Sequence, residues 1–275
     1  RAQRREPSLS SVDSVPPWLG TRVDSRISAV IRTALALILF ALGTAPAWAQ
    51  APAPLDYATA RQDRKLPAVR ARGPIVLDGT LDEPAWQDAP LANGFRQNEP
   101  REGQPATFDT DVRVLYDDQA IYLGVFARDD QPSDVVVSDL KKDFNPAASD
   151  AFLVVFDTFA DQRNGFEFAT NPAGAKWDAQ MSNEGRESNA NWDGIWDVRT
   201  RMASDGWYAE IRIPFRTLKF TDADPQAWGL NFQRRLRRKN EESLGTGWQR
   251  NEGRLRMSNA GRLGGLGPVD RGVGL

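Results

Sequence analysis

Residues 150–180 read DAFLVVFDTFADQRNGFEFATNPAGAKWDAQ, and their pattern decides the fold. Phe152 to Phe156 form a short apolar run between acidic residues, which suits a strand buried in a sandwich core. Asp161–Gly165 is a connection, and Asn164-Gly165 is the pair that best accepts the positive φ of a tight hairpin. Phe166, Phe168 and Thr170 then alternate with Glu167 and Ala169, the period of a half-buried strand. Asn171–Gly174 turns the chain again and Trp177 opens another strand. An antiparallel sheet with one aromatic face follows.

The flanks repeat this pattern. Val112, Val114 and Tyr116 alternate with Arg113 and Leu115, Asp117–Ala120 turns, and Ile121–Ala127 returns as a more apolar, central strand. Trp196–Met202 and Gly206–Pro214 form a further hairpin around Ser204-Asp205-Gly206. In its second arm Trp207, Ala209, Ile211 and Ile213 face one way and Tyr208, Glu210 and Arg212 the other. Trp228–Arg238 reads as a last strand. Earlier, Ile75–Leu77 is a brief strand, Asp78-Gly79 a turn, and Asp82-Glu83-Pro84 a helix start capped by Asp82, with Trp86 turned to the core. The expected fold is all-β, an antiparallel β-sandwich of jelly-roll or immunoglobulin-like type, spanning residues 70–240.

Outside that span the composition changes. Thr33–Gly43 is apolar, follows Arg26 and Arg32, and precedes Ala47-Trp48-Ala49, the order of a secretory signal peptide cleaved after Ala49. It is about half the ~20 residues of a membrane span. Residues 1–49 are therefore read as upstream segment plus signal peptide, and the mature protein as exported: periplasmic, outer-membrane-associated or secreted. The first methionine is Met181, so the start is a fragment boundary, an unusual start codon or extra upstream sequence. Residues 50–69, rich in Ala, Pro and Arg, read as a linker or a lightly tethered strand around Leu66–Val69. From Gly245 on, nine of the 22 glycines mix with arginine, so 241–275 reads as a disordered or frame-shifted tail.

Composition excludes several chemistries. The chain of 275 residues has a net charge of −2 and neither Cys nor His. Disulfides, Cys/His zinc sites, His-based triads and thiol nucleophiles are absent. Balanced charge gives no field of one sign for nucleic acid or an anionic membrane. Carboxylate catalysis and oxygen-ligated calcium remain open.

Four ordered motifs carry a family likeness: IVLDGTLDEPAWQDA (75–89), AIYLGVFARDD (120–130), SDAFLVVFD (149–157) and GWYAEIRIPF (206–215). Together they resemble the family 9 carbohydrate-binding modules, calcium-associated β-sandwiches, in the variant found at the front of larger bacterial envelope proteins. The resemblance covers roughly Arg70 to Asn240. It implies a non-catalytic module that binds a polysaccharide, an oligosaccharide or a chain end between two tryptophans. No motif places that clamp; Trp177, Trp192 and Trp196 are candidates by their positions near loops, with Asp193 and Asp197 as hydroxyl partners. For calcium the resemblance points to Asp78, Asp82, Asp129 and Asp150, each of which a helix cap or solvated turn explains as well. Outer-membrane association would run through a later region that this chain lacks. Two other functions compete. A glycoside hydrolase needs two carboxylates ~5–10 Å apart across a cleft, and no motif singles them out. A structural domain serving an outer-membrane barrel would bind no sugar.

Overall fold

The computed structural model describes residues 56–223 and 225–269. The export segment expected at 1–49 lies outside them. Among the described residues alternation and turns produce fourteen strands: β1 Lys65–Pro67, β2 Val69–Arg70, β3 Arg96–Glu99, β4 Thr110–Tyr116, β5 Ala120–Arg128, β6 Ala151–Asp157 and β7 Gly165–Thr170. The second half of the chain adds β8 Lys176–Ser182, β9 Glu187–Asn189, β10 Asp197–Ala203, β11 Gly206–Pro214, β12 Gln226–Leu236, β13 Glu241–Leu244 and β14 Gly261–Leu266. Two short helices, α1 Tyr57–Asp63 and α2 Pro84–Asp88, flank them.

The strands form two packed sheets. The small one has the order β10-β11-β5-β4-β2, and the large one runs β1-β14-β12-β6-β7-β8-β9, with β13 on β12 and β3 on β13. Every pairing is antiparallel except β1 with β14 and β2 with β4. The β1–β2 segment hydrogen-bonds to both sheets: Ala68 N–H donates to Gly264 O (2.7 Å) and Ala71 N–H to Tyr116 O (2.8 Å). Phe152, Val154, Phe156, Phe166 and Phe168 of the large sheet pack against Val114, Leu123, Ala209 and Ile211 of the small one. Each of these side chains except Ala209 contributes roughly 1.5–3 kcal/mol on burial. The β-sandwich expected from the sequence is the fold found.

Boundaries and turns differ in instructive ways. The segment 241–269 is not a loose tail: β13 continues the edge of β12, and β14 pairs with Trp228–Leu230 in the middle of the sheet. Gly261 and Gly265 meet packing demands there, since a Cβ would lie 2.6 Å from Arg64 O at the first and 2.8 Å from Ala68 O at the second. The supposed linker likewise supplies α1 and β1, so the sandwich begins before Arg70. In the β6–β7 turn the positive φ falls on Ala160 (54°) and Gln162 (61°), not on Asn164. Gly165 is needed for a different reason, because a Cβ there would sit 2.5 Å from Phe156 O. Helix α2 is preceded by Glu83 rather than Asp82, with Pro84 in its first turn as expected.

The 75–89 motif and the 206–215 motif meet on the outer face of the small sheet. Buried Glu210 accepts from Asp78 N–H (2.8 Å), Gly79 N–H (2.9 Å) and Trp86 Nε1–H (3.2 Å). Trp86 lies over Gly124, where a Cβ would come within 2.9 Å of its ring. Glu83 also accepts from Trp86 Nε1–H, at 3.0 Å. This lid covers the small sheet's outer face around Gly124 and Glu210.

Candidate functional site

The outer face of the large sheet is built differently. Register places Trp177, Ala169, Leu153 and Gln233 in one row across β8, β7, β6 and β12. The next row toward the end of β12 holds Ala151, Arg235 and Glu242, and the row on the other side holds Ala179, Glu167, Val155 and Asn231. An exposed sheet face would carry polar residues in contact with water; here two loops cover it. The 143–147 loop inserts Phe144 against Ala151, Leu153, Ala169 and Ala175, and leaves Asp143 and Asn145 exposed on either side. The segment after β13 crosses the face and lays Leu255 and Met257 over Val155 and Met181. Between the two loops remains an open cleft of about 410 Å³, lined by Trp177, Leu153, Arg235, Arg254 and the 143–147 loop. Its size lies within the usual range of small-ligand sites.

Charged and amide groups meet beneath and beside this cleft. Arg254 donates to Glu167 Oε2 through Nε (3.1 Å) and Nη2 (2.9 Å). Arg235 donates through Nη1 to Glu242 Oε1, and Gln233 Nε2 donates to Glu242 Oε2 at 2.7 Å. Burial and the nearby positive charge of Arg254 both push the Arg235 guanidinium below its usual value, with Glu242 acting in opposition. Asn231 anchors the crossing segment, donating to Thr246 O (3.2 Å) and accepting from Thr246 N–H (3.1 Å). Three polar atoms here are shielded from solvent yet have no hydrogen-bond partner: Glu167 Oε1, Gln233 Oε1 and Arg235 Nε. A buried polar atom left unpaired costs roughly 1–3 kcal/mol.

The aromatic candidates separate cleanly by face. Trp177 is half-buried in the cleft wall. Trp196 is 1% exposed within the inter-sheet core, and its Nε1–H donates to Asp178 Oδ2 at 2.9 Å. It offers no free ring face, which corrects its reading as a platform. Trp192 packs on the same core, its ring 5.1 Å from Phe166 and 5.9 Å from Phe168. Asp193 is ion-paired to Lys142, and Asp197 is an exposed residue at the start of β10. Neither lines the cleft. Arg235 and Arg254 were missed from the sequence because each sits in an arginine-rich stretch that resembles a solvated surface. The available signal was the alternation of Gln233 and Arg235 with Phe232 and Leu236, which puts both on the side opposite the core.

The four acids proposed for calcium do not assemble. Among the described residues no group of three or more acidic side chains gathers in a metal-binding arrangement. Asp78 is exposed, and its Oδ1 accepts from Thr80 N–H at 2.7 Å; Asp82 is exposed at the approach to α2. Asp129 has both oxygens engaged by Arg238, at 2.6 and 2.7 Å, with Arg234 Nη2 at 3.8 Å. Burial acts to raise its carboxyl, but the Arg238 hydrogen bonds lead the contacts that hold it below the usual value. Asp150 accepts from Val136 N–H (2.6 Å) and Arg237 N–H (3.1 Å), and burial pushes its carboxyl up. Burial also lowers Arg234 to about 10. These groups match arginines and backbone amides rather than a cation.

Comparison with known proteins bears on this arrangement. A family model described as "Carbohydrate family 9 binding domain-like" matches residues 77–264, more than half of the chain. No curated protein sequence matches it. A family 9 carbohydrate-binding module from Caldicellulosiruptor kristjanssonii, solved with cellotriose, is 19% identical, with 77% of this chain and 98% of that one covered at a TM-score of 0.49. A Bacteroides uniformis protein whose name proposes carbohydrate binding is 10% identical, with 73% and 98% covered at a TM-score of 0.60, a likeness of fold. The chain thus belongs to the carbohydrate family 9 binding domain-like family.

Proposed function

We propose that the protein is a carbohydrate-binding module whose sugar seats in the cleft beside Trp177. The observation that carries this reading is a half-buried indole, Trp177, that shares one open cleft with the guanidinium groups of Arg235 and Arg254. A sugar ring presents an apolar C–H face and a rim of hydroxyls, so it needs an aromatic surface next to planar hydrogen-bonding groups. Trp177 supplies the first. Arg235, Arg254, Asp143 and Asn145 line the same cleft and supply the second. Glu167 and Gln233 lie behind them and fix the two guanidinium planes, directly in one case and through Glu242 in the other. Holding the donors in place before binding reduces the ordering cost of association. Family membership supports the same reading. Export, expected from residues 1–49, would bring the module to extracellular or periplasmic polysaccharide; an intact mass beginning at Gln50 is the check.

The test is calorimetric titration with a panel of soluble oligosaccharides, including cello-oligosaccharides. Saturable binding is expected in the unmodified protein and is expected to be weakened in Trp177→Ala and in Arg235→Met. Unchanged affinity in both folded variants would place the sugar elsewhere.

A further inference from the structure

A second pocket lies on the same outer face, beyond the crossing segment. Gly229 is six residues from Arg235 along β12, about 20 Å at the rise of a strand. The pocket has a volume of about 370 Å³, and its cationic lining is Arg61, Lys65 and Arg262. Lys65 and Arg262 are register partners on the parallel pair β1 and β14, so two positive side chains stand next to each other on neighbouring strands. Like charges so placed repel unless something negative lies between them. Neither makes an ion pair within the described residues, whereas Arg70, Arg128, Arg235, Arg238, Arg250 and Arg254 all do. Arg61 donates to Ser258 O at the rim, keeping its guanidinium beside the pair.

The one acid in the lining does not neutralise them. Asp157 is 1% exposed and directs its carboxylate to backbone amides, accepting from Gln162 N–H (2.8 Å) and Asp161 N–H (3.2 Å). Burial and the adjacent Asp161 charge push that carboxyl up. Two lining residues of the same turn, Ala160 and Gln162, have left-handed backbone at φ 54° and 61°, a conformation that non-glycine residues adopt rarely and that collects at ligand sites. Gly229 supplies the floor, where a Cβ would press to 3.0 Å from Asp157 Cβ.

We propose that this pocket is an oxyanion site, taking a phosphate or sulfate group through Lys65, Arg262 and Arg61. The group is either a free anion or a substituent on a polysaccharide. The site is separate from the Trp177 cleft and stands whether or not that cleft binds sugar.

The experiment is calorimetric titration of the chain with inorganic phosphate, with inorganic sulfate and with a sulfated oligosaccharide, against sodium chloride at matched ionic strength. Saturable binding of at least one of these is expected. It should weaken at least tenfold in the double variant Lys65→Gln/Arg262→Gln, while any affinity for a neutral oligosaccharide stays unchanged. Tighter binding of the sulfated sugar than of sulfate supports the site and identifies a polysaccharide as the source; equal binding supports the site and identifies the free anion. Both side chains substituted are exposed, so the double variant should fold, and a melting temperature within a few degrees of the parent confirms that. No saturable binding of any of the three, or binding undiminished in the folded double variant, overturns the proposal.

Discussion

The two outer faces of the sandwich use the same residue types to opposite ends. On the small sheet, buried Glu210 has three N–H donors, and Trp86 is 1% exposed beneath its own loop. Phe126 and Tyr208 stack there at 4.2 Å, with Arg128 over Phe126 and Arg201 over Tyr208, so both rings are engaged although Tyr208 is only half-buried. On the large sheet, Glu167 keeps one oxygen unpaired, Arg235 keeps its Nε–H unpaired, and Trp177 reaches solvent. A satisfied network fixes the fold. An open cleft that places a half-buried indole beside two guanidinium groups is what a ligand can fill.

The contrast is broken most forcefully at Trp86. Trp86→Ala should cost about 3–5 kcal/mol of stability, read by denaturant titration, with sugar affinity of the folded fraction unchanged. A loss of affinity without loss of stability would show that the small sheet's lid belongs to the binding machinery. Arg238→Ala should follow closely, at roughly 3–5 kcal/mol, because it leaves Asp129 buried without its bidentate partner. Calcium added to that variant tests whether the buried carboxylate, freed from Arg238, then responds to a cation; in the unmodified protein a chelator should not move the melting temperature.

Trp177→Ala sharpens the comparison from the other side. It should weaken sugar binding by roughly 1–3 kcal/mol, as for other aromatic stacking contacts, and shift the melting temperature only slightly. The matching change Trp196→Ala should do the reverse, destabilising the core without a specific loss of affinity.

The smallest effect is the pH dependence of stability. Burial raises Glu210 above its ordinary 4.5 and Asp150 and Asp157 above 3.8, so the folded state holds their protons more tightly than the unfolded chain does. Their contribution is complete below those ordinary values and is lost as pH rises through the raised folded ones. Asp129 and Asp161 are held below 3.8, and their contribution, present above it, is lost as pH falls through the lowered values. Stability should therefore rise from neutral pH into the mildly acidic range and decline below about 3.8. Glu210→Gln should flatten the upper limb. A melting temperature that climbs steadily from acid to neutral pH would contradict this assignment.

Sequence alone determined the long hairpin strands from Thr110 to Arg128, Ala151 to Ser182 and Asp197 to Pro214, because side-chain alternation and turn chemistry are local; Ile75–Leu77, expected as a strand, is not one, and β3, β9, β13 and β14 carried no such signal. Phe152, Val154 and Phe156 announce a buried face whatever they pack against, and the four motifs are legible for the same reason. Tertiary structure decided the rest. Alternation assigns Trp177 and Trp196 to faces of their strands, but only sheet packing shows that one face is the core and the other a cleft. Asp129 resembles a cation ligand until the fold brings Arg238 to it from 109 residues away. The glycine-rich 261–266 stretch has no apolar signature of its own; it becomes a strand because β12 offers it an edge, with glycines where the chains of β1 and β14 pass too closely for a side chain. Contacts between distant segments carry no local signature, and the binding face is made of such contacts.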